Sequence, residues 1–309
     1  MAAAAVKAYK RRVPIGDRVF DIFNIVFMIC LMIVTIYPFI NMLAVSLNDA
    51  SDSVKGGIYF WPRVLSFDSY QYVFKESTVL HATGISILRT VLGTIISTFC
   101  SAMVAYAISR PEFVLRRFVT LAFILTMYFN GGLIPNFLLI RELHLMNSFW
   151  VYIIPGILGV FNIIVIRSFI EGLPDGIMES ARIDGAGEFT TFLRIVLPLT
   201  LPVLATTSLF TAVFHWNSWF DVFLYNSSHV ELSTLQYELM KMLQNSNASV
   251  SGTDASGAFA SSGSSSANFV TPTSIRSTMT IVASLPIIMV YPFLQRYFVK
   301  GLTLGGVKG

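Results

Sequence analysis

Six apolar stretches, each long enough to cross a lipid bilayer, divide this chain: Phe20–Leu47, Ile85–Ile108, Phe118–Ile140, Phe149–Ile170, Ile195–Leu224 and Met279–Phe298. A hydrocarbon core of about 30 Å takes roughly 20 residues of helix, and a helix satisfies its own backbone polar groups where no water reaches. With 54% of its 309 residues apolar and only 12% charged, the chain has too few charges to cover a soluble surface of this size. The expected fold is all-α, a polytopic membrane protein with six transmembrane helices.

Basic residues orient these helices. Lys7, Lys10, Arg11, Arg12 and Arg18 precede the first stretch; Arg110, Arg116 and Arg117 join the second to the third; Arg182 and Arg194 join the fourth to the fifth; Arg296, Lys300 and Lys308 follow the sixth. Such residues collect on the cytoplasmic side. Both termini and the loop between stretches four and five are therefore expected inside, while the opposite loops hold only scattered Lys55, Arg63, Lys75, Arg141, Lys241 and Arg276. The net charge of +4 is a topology signal. It indicates neither nucleic acid nor an anionic cargo. A basic start followed by an apolar run has the order of a signal peptide, but its length and the lack of a small-residue cleavage site argue for a retained helix. The organisation expected is a cytoplasmic segment 1–19, a membrane domain 20–298 and a cytoplasmic tail 299–309.

The inside loop at 171–198 has its own pattern. Pro174 suits a helix start, Asp175 is placed to cap it, and Glu179 lies in the early turns near the positive end of the helix dipole. Gly185 and Gly187 permit a sharp turn after Ile183, and a second helix runs from about Glu188 towards Pro198, with Pro202 a further break. The expected product is a helix, turn, helix elbow that presents a carboxylate, small residues and a glycine turn, features suited to close docking.

This segment resembles the cytoplasmic coupling loop of ABC-transporter permease subunits. The pattern is met at Glu179, Ala181, Gly185, Ile195, Leu197 and Pro198, with Asp184 before the glycine and Ser180 standing where the pattern has Ala. Trp61-Pro62 with Tyr70, the run Ser86 to Thr94, Trp216-Asn217-Ser218-Trp219 and Gln295 to Gly301 extend the likeness to carbohydrate-uptake permeases of the maltose-type second subunit. The segment Tyr128 to Pro135, with Leu145, Asn147 to Trp150 and Leu158, is similar to the branch serving complex oligosaccharides. The resemblance implies a permease subunit of an ATP-driven importer in the bacterial plasma membrane. It implies as partners a homologous second permease, an ATP-binding subunit dimer and an extracellular solute-binding lipoprotein, with membrane lipid around them. Glu179, Ser180, Ala181, Asp184 and Gly185 are the implied coupling residues.

The sequence contains no Gly-x-x-x-x-Gly-Lys-Ser/Thr phosphate loop, and the glycine-rich end at Gly305 to Gly309 lacks both that spacing and a preceding strand. ATP and Mg are thus expected to be used by partner subunits, with no cofactor bound by this chain. The scattered His81, His144, His215 and His229 form no catalytic or metal-binding spacing, so the chain is not read as an enzyme. Cys30 and Cys100 read as small core residues.

For the substrate path, His215-Trp216-Asn217 and Phe220 near the middle of stretch five combine aromatic faces with an amide, a set suited to sugar rings. Packing between helices is the equal alternative. Asn130 with Gly131, Gly132 and Pro135 interrupts stretch three, and broken helices often line transport paths. Arg89, inside stretch two, is expected to snorkel to the outer surface. An ion-coupled secondary carrier is the competing function; Asp221 alone approaches the intramembrane acid it needs. A scaffold without transport leaves the polar residues of stretch five unexplained. Residues 245–270, rich in Ser, Gly and Ala, are expected to form a flexible extracellular spacer.

Overall fold

The computed structural model describes residues 15–53, 55–75, 77–251 and 271–304. Its elements are α1 (Ile15–Ser46), α2 (Ala50–Ser53), α3 (Asp68–Lys75), α4 (Ser77–Ser109), α5 (Arg116–Tyr128), α6 (Leu133–Glu142), α7 (Val160–Ile170), α8 (Asp175–Ile183), α9 (Glu188–Thr191), α10 (Leu197–Leu199), α11 (Leu201–Asn217), α12 (Phe220–Tyr225), α13 (Leu235–Ser251) and α14 (Pro272–Leu304). Short 3-10 turns occupy Phe149–Tyr152, Ile154–Gly156 and Val230–Leu232, and a π turn at Phe192–Val196 joins α9 to α10. Among the described residues β structure is confined to one bridge, Asn48 to Leu65.

Three helical segments are long and apolar enough to cross a bilayer, Gly16–Ser46, Thr78–Ser109 and Pro272–Val290. Two bent pairs raise the count to five: Phe149–Gly156 with Val160–Ile170 at 49°, and Glu188–Leu199 with Leu201–Asn217 at 82°. The third stretch, Phe118–Ile140, is broken where Asn130, Gly131, Gly132 and Pro135 predict an interruption. After Tyr128 the backbone turns extended at Phe129, Gly132 takes a φ of +87° that L side chains rarely adopt, and α6 starts afresh at Leu133. Stretch five also ends early, because Ser218 is extended and α12 begins only at Phe220. Helix α13 reaches Ser251, so the expected spacer starts inside a helix, and 252–270 lie outside the described residues.

The chain divides into two units, one running to Ser69 with a return that ends at Ile281, the other built from Tyr70 onward and from Val282 onward. In the first, the apolar window of α1 has none of its residues buried. Cys30, within that window, is accordingly exposed and not a core residue: an apolar stretch reads alike whether or not it is covered within the unit. There Asn48 ties the following loop: its Oδ1 accepts from the backbone N–H of Arg63 at 2.7 Å and of Val64 at 3.0 Å.

In the second unit α4 is central, packed chiefly against α7 and α11. Ala102 and Ala105 let the backbones approach, and Ile108, Ile163, Ile166, Phe192 and Val196 fill the layer between. Met178 of α8 belongs to the same cluster, so the loop at 171–198 is seated on the membrane helices by its apolar face. A second cluster at the other end of α4 holds Ile140, Val151, Tyr152, Ile153, Val222 and Tyr237.

Candidate functional site: the elbow and the interior of the fifth stretch

Pro174, φ −61° and ψ 128°, precedes α8 as its N-cap and makes no side-chain cap. Asp175 therefore does not cap; it occupies the first helical position, where its carboxylate meets the positive end of the dipole. The helix ends in a Schellman turn: Ala186 N–H donates to Ala181 C=O at 2.9 Å and Gly185 N–H to Arg182 C=O at 3.0 Å, with Gly185 left-handed at φ +77°. A Cβ at Gly185 would meet nothing within 4 Å, so the glycine is required by backbone conformation and not by space. Gly187 then caps α9, and the helix turn of Glu188–Leu199 continues through the π turn.

The elbow carries Glu179, Ser180, Asp184 and Gly185 on its exposed side. Ala181 is 4% exposed and faces inward, as does Met178. Neither Glu179 nor Asp184 has a side-chain partner among the described residues, and Ile183 and Phe189 beside them are 86% and 62% exposed. The outer side of the elbow thus combines carboxylates that have no side-chain partner among the described residues with bare aliphatic and aromatic groups.

Three further residues were not foreseen. Arg182 donates to Glu112 Oε1 at 2.5 Å and to Glu188 Oε1 at 3.1 Å, and Glu188 Oε2 accepts from the Tyr106 hydroxyl at 2.6 Å. The elbow is thereby fastened to the last turn of α4 and to the loop after it. Arg182 holds the Glu112 carboxyl below the usual carboxylate range. The Tyr106 hydroxyl, with Arg182, does the same for Glu188 against an opposing effect of burial. The two carboxylates in turn push the Arg182 pKa up, Glu112 most. Nothing in the spacing of Tyr106, Glu112 and Glu188 marks them as neighbours.

The path residues expected in and near stretch five are not brought together. Trp216 is buried, its indole N–H donating to Ala283 C=O at 2.9 Å, and it lines a cavity of about 310 Å³ with Thr90, Thr94, Leu209, Val213 and Pro286. The wall of that cavity exposes carbon only. Asn217 is exposed and donates to Val213 C=O of its own helix at 3.0 Å. Phe220 lies beyond the break in a different helix from Trp216, edge-on to Trp219 at 5.7 Å. Asn130 is exposed, its Oδ1 accepting from Gly132 N–H at 2.9 Å, a local turn contact.

Arg89 does not snorkel. It is 1% exposed and forks onto both carboxylate oxygens of Asp221, while Nη1 donates to Ser218 C=O at 3.2 Å. Its guanidinium lies 4.6 Å above the Tyr152 ring. The break after α11 brings Asp221 to it, and a break is what a count of apolar residues cannot show. One turn along, a Cβ on Gly93 would sit 2.5 Å from His215 Nε2, so that glycine admits the imidazole. A glycine inside an apolar helix was the available signal for close approach. Among the described residues no group of three or more His, Cys, Asp or Glu is disposed to hold a metal ion.

Residues 82–304 match the family described as binding-protein-dependent transport system inner membrane component. Over 95% of this chain and 99% of the relative, it is 33% identical to the polygalacturonan/rhamnogalacturonan transport system permease protein YtcP of Bacillus subtilis (strain 168). It is 36% identical to protein LplC of the same organism, covering 95% and 96%. An arabinooligosaccharides transport system permease protein, AraQ of Halalkalibacterium halodurans, is 30% identical over 89% and 92%. Among solved structures, a bacterial ABC transporter involved in the import of the acidic polysaccharide alginate superposes with a TM-score of 0.81 at 26% identity, covering 94% of this chain and 100% of that one.

Proposed function

This chain belongs to the family of binding-protein-dependent transport system inner membrane components, and from that premise we propose that it is the permease subunit of an ATP-driven importer of oligosaccharides. The observation that carries the mechanism is the elbow: a seated inner face, a Schellman turn, and an outer face where Ile183 and Phe189 are exposed and the Glu179 and Asp184 carboxylates have no side-chain partner among the described residues. An ATPase pair docking there moves the elbow as a lever, and the membrane helices packed on it turn the cavity from outward to inward access. Glu179 offers its carboxylate to a donor on the ATPase, Ser180 and Asp184 flank it, Gly185 sets the turn and Ala181 seats it.

In this reading the elbow and both termini face the cytoplasm, as the arginine-rich connections indicate. Six spans are counted by taking α5 with α6 as one broken span beside the five that meet length and apolarity with their bends. A homologous second permease, the ATPase dimer with its ATP and Mg, and an extracellular solute-binding lipoprotein complete the complex. The oligosaccharide class rests on what the relatives are named for. Of the candidate path residues, Trp216 lines a pocket among the described residues; Asn217, Phe220 and Asn130 serve the path by meeting the second permease across it.

The ion-coupled alternative loses its acid, since Asp221 is held in the fork by Arg89. Copurification from native membranes separates the two. An associated ATPase pair whose hydrolysis responds to sugar-loaded binding protein is expected; sugar uptake in vesicles without any ATPase overturns the proposal.

A further inference from the structure

Of the three unbent segments able to span, α4 is the one without proline: α1 contains Pro38, and α14 contains Pro286 and Pro292. A 33-residue helix is about 50 Å long at 1.5 Å per residue. Each end is held to residues far away in sequence. At the elbow end, the Tyr106 hydroxyl binds Glu188, and its ring and that of Phe99 lie 5.5 Å and 5.9 Å from Phe192. At the other end, Arg89 grips Asp221 and the Ser218 carbonyl, Ser86 Oγ accepts from Leu235 N–H at 2.9 Å, and His81 Nε2 meets Glu231 C=O at 2.8 Å. Tyr152, under the guanidinium, donates to Leu232 C=O at 2.6 Å. The segment from Ser218 to Leu235 is therefore clasped by α4 at several points, and Arg89 is the charged, buried one.

We propose that α4 is a strut joining the elbow to the 218–235 segment, and that Arg89 is the positioning residue that closes its far joint. It rests on the permease reading above. In that reading the 218–235 segment lies on the outer side, where a solute-binding protein arrives, and Arg89 and Tyr106 are separated by about 25 Å of helix. A displacement at either end of an unkinked helix gripped at both ends reaches the other end, whereas proline or a bend would absorb it. The guanidinium fork suits this joint because it fixes Asp221 and a backbone carbonyl together, and an ammonium has no such planar geometry.

The test uses the whole transporter, with second permease, ATPase pair and binding protein, in proteoliposomes. Arg89→Lys keeps the buried charge and loses the fork. Expected are wild-type assembly and basal ATP hydrolysis, with the increment stimulated by sugar-loaded binding protein reduced about tenfold, the order of one lost charge-assisted hydrogen bond. The double variant Arg89→Met with Asp221→Leu removes both charges and is expected to assemble but stay unstimulated. Wild-type stimulation in either variant overturns the strut, and so does joint loss of assembly in both, since Arg89 would then only hold the fold. A wild-type complex that is itself never stimulated tells instead against the permease reading.

Discussion

An arginine held by carboxylate lies towards each end of α4, Arg89 on the helix itself and Arg182 on α8 beside its elbow end, and the two differ in almost everything else. Arg89 is 1% exposed and its partner Asp221 21% on the side chain, with an aromatic ring beneath the guanidinium. Arg182 is 43% exposed, bridging Glu112 and Glu188 at 55% and 60%. In low dielectric, two charges taken from water are worth keeping only as a pair, so removal of one strands the other. In water the same chemistry is screened and contributes little. One end of the strut is therefore fixed and the other is adjustable. A lever that must move against a membrane scaffold needs its loose contacts at the lever.

The difference is sharpest for single variants. Asp221→Leu should be the most damaging, leaving Arg89 uncompensated at about 3–5 kcal/mol, read as loss of folded protein in detergent-solubilised thermal unfolding. A stability near wild type would put the two ends on the same footing. Gly93→Ala forces a Cβ to 2.5 Å from His215 Nε2, an overpacking cost of about 1–3 kcal/mol, by the same measurement. Gly185→Ala meets no neighbour but must hold φ +77°, costing roughly 1–2 kcal/mol, whereas Gly185→Asn should be milder because Asn tolerates that region.

The smallest effect is expected at the bridge. Arg182→Ala should lower the unfolding temperature slightly at low salt and not at all at high salt. Glu112 and Glu188 both titrate below the usual carboxylate range. A depressed carboxylate adds stability above its unfolded pKa and loses it as pH falls through the folded one. The elbow fastening should thus be constant through neutrality and fail only in acid below that range, seen as faster amide exchange in α8 and α9. Loss of protection near neutral pH would contradict the sign.

What was legible in the sequence follows the range of the interactions. The elbow could be read because its determinants are local: a proline before a helix, a glycine after it, a charge in the first turn. Stretches one, two and six emerged as continuous helices for the same reason. Stretch three is interrupted where Asn130, Gly131, Gly132 and Pro135 mark it, again a local signal, whereas the end of stretch five was not legible because the break at Ser218 leaves hydropathy unchanged. Arg89 was misplaced since its partner lies across the fold; a solitary charge in an apolar run reads alike whether it snorkels or pairs. Cys30, expected in a core, is exposed on α1, because hydropathy alone does not show which apolar residues are covered.

The central claim is that the outer face of the elbow receives an ATPase and couples it to transport. Glu179→Ala changes one exposed carboxylate that makes no side-chain hydrogen bond or ion pair among the described residues. On membranes carrying this variant, sugar uptake, ATPase retention and sugar-stimulated hydrolysis are measured together. Uptake should be lost, with the ATPase either released or hydrolysing ATP regardless of sugar; wild-type values for all three would contradict the account.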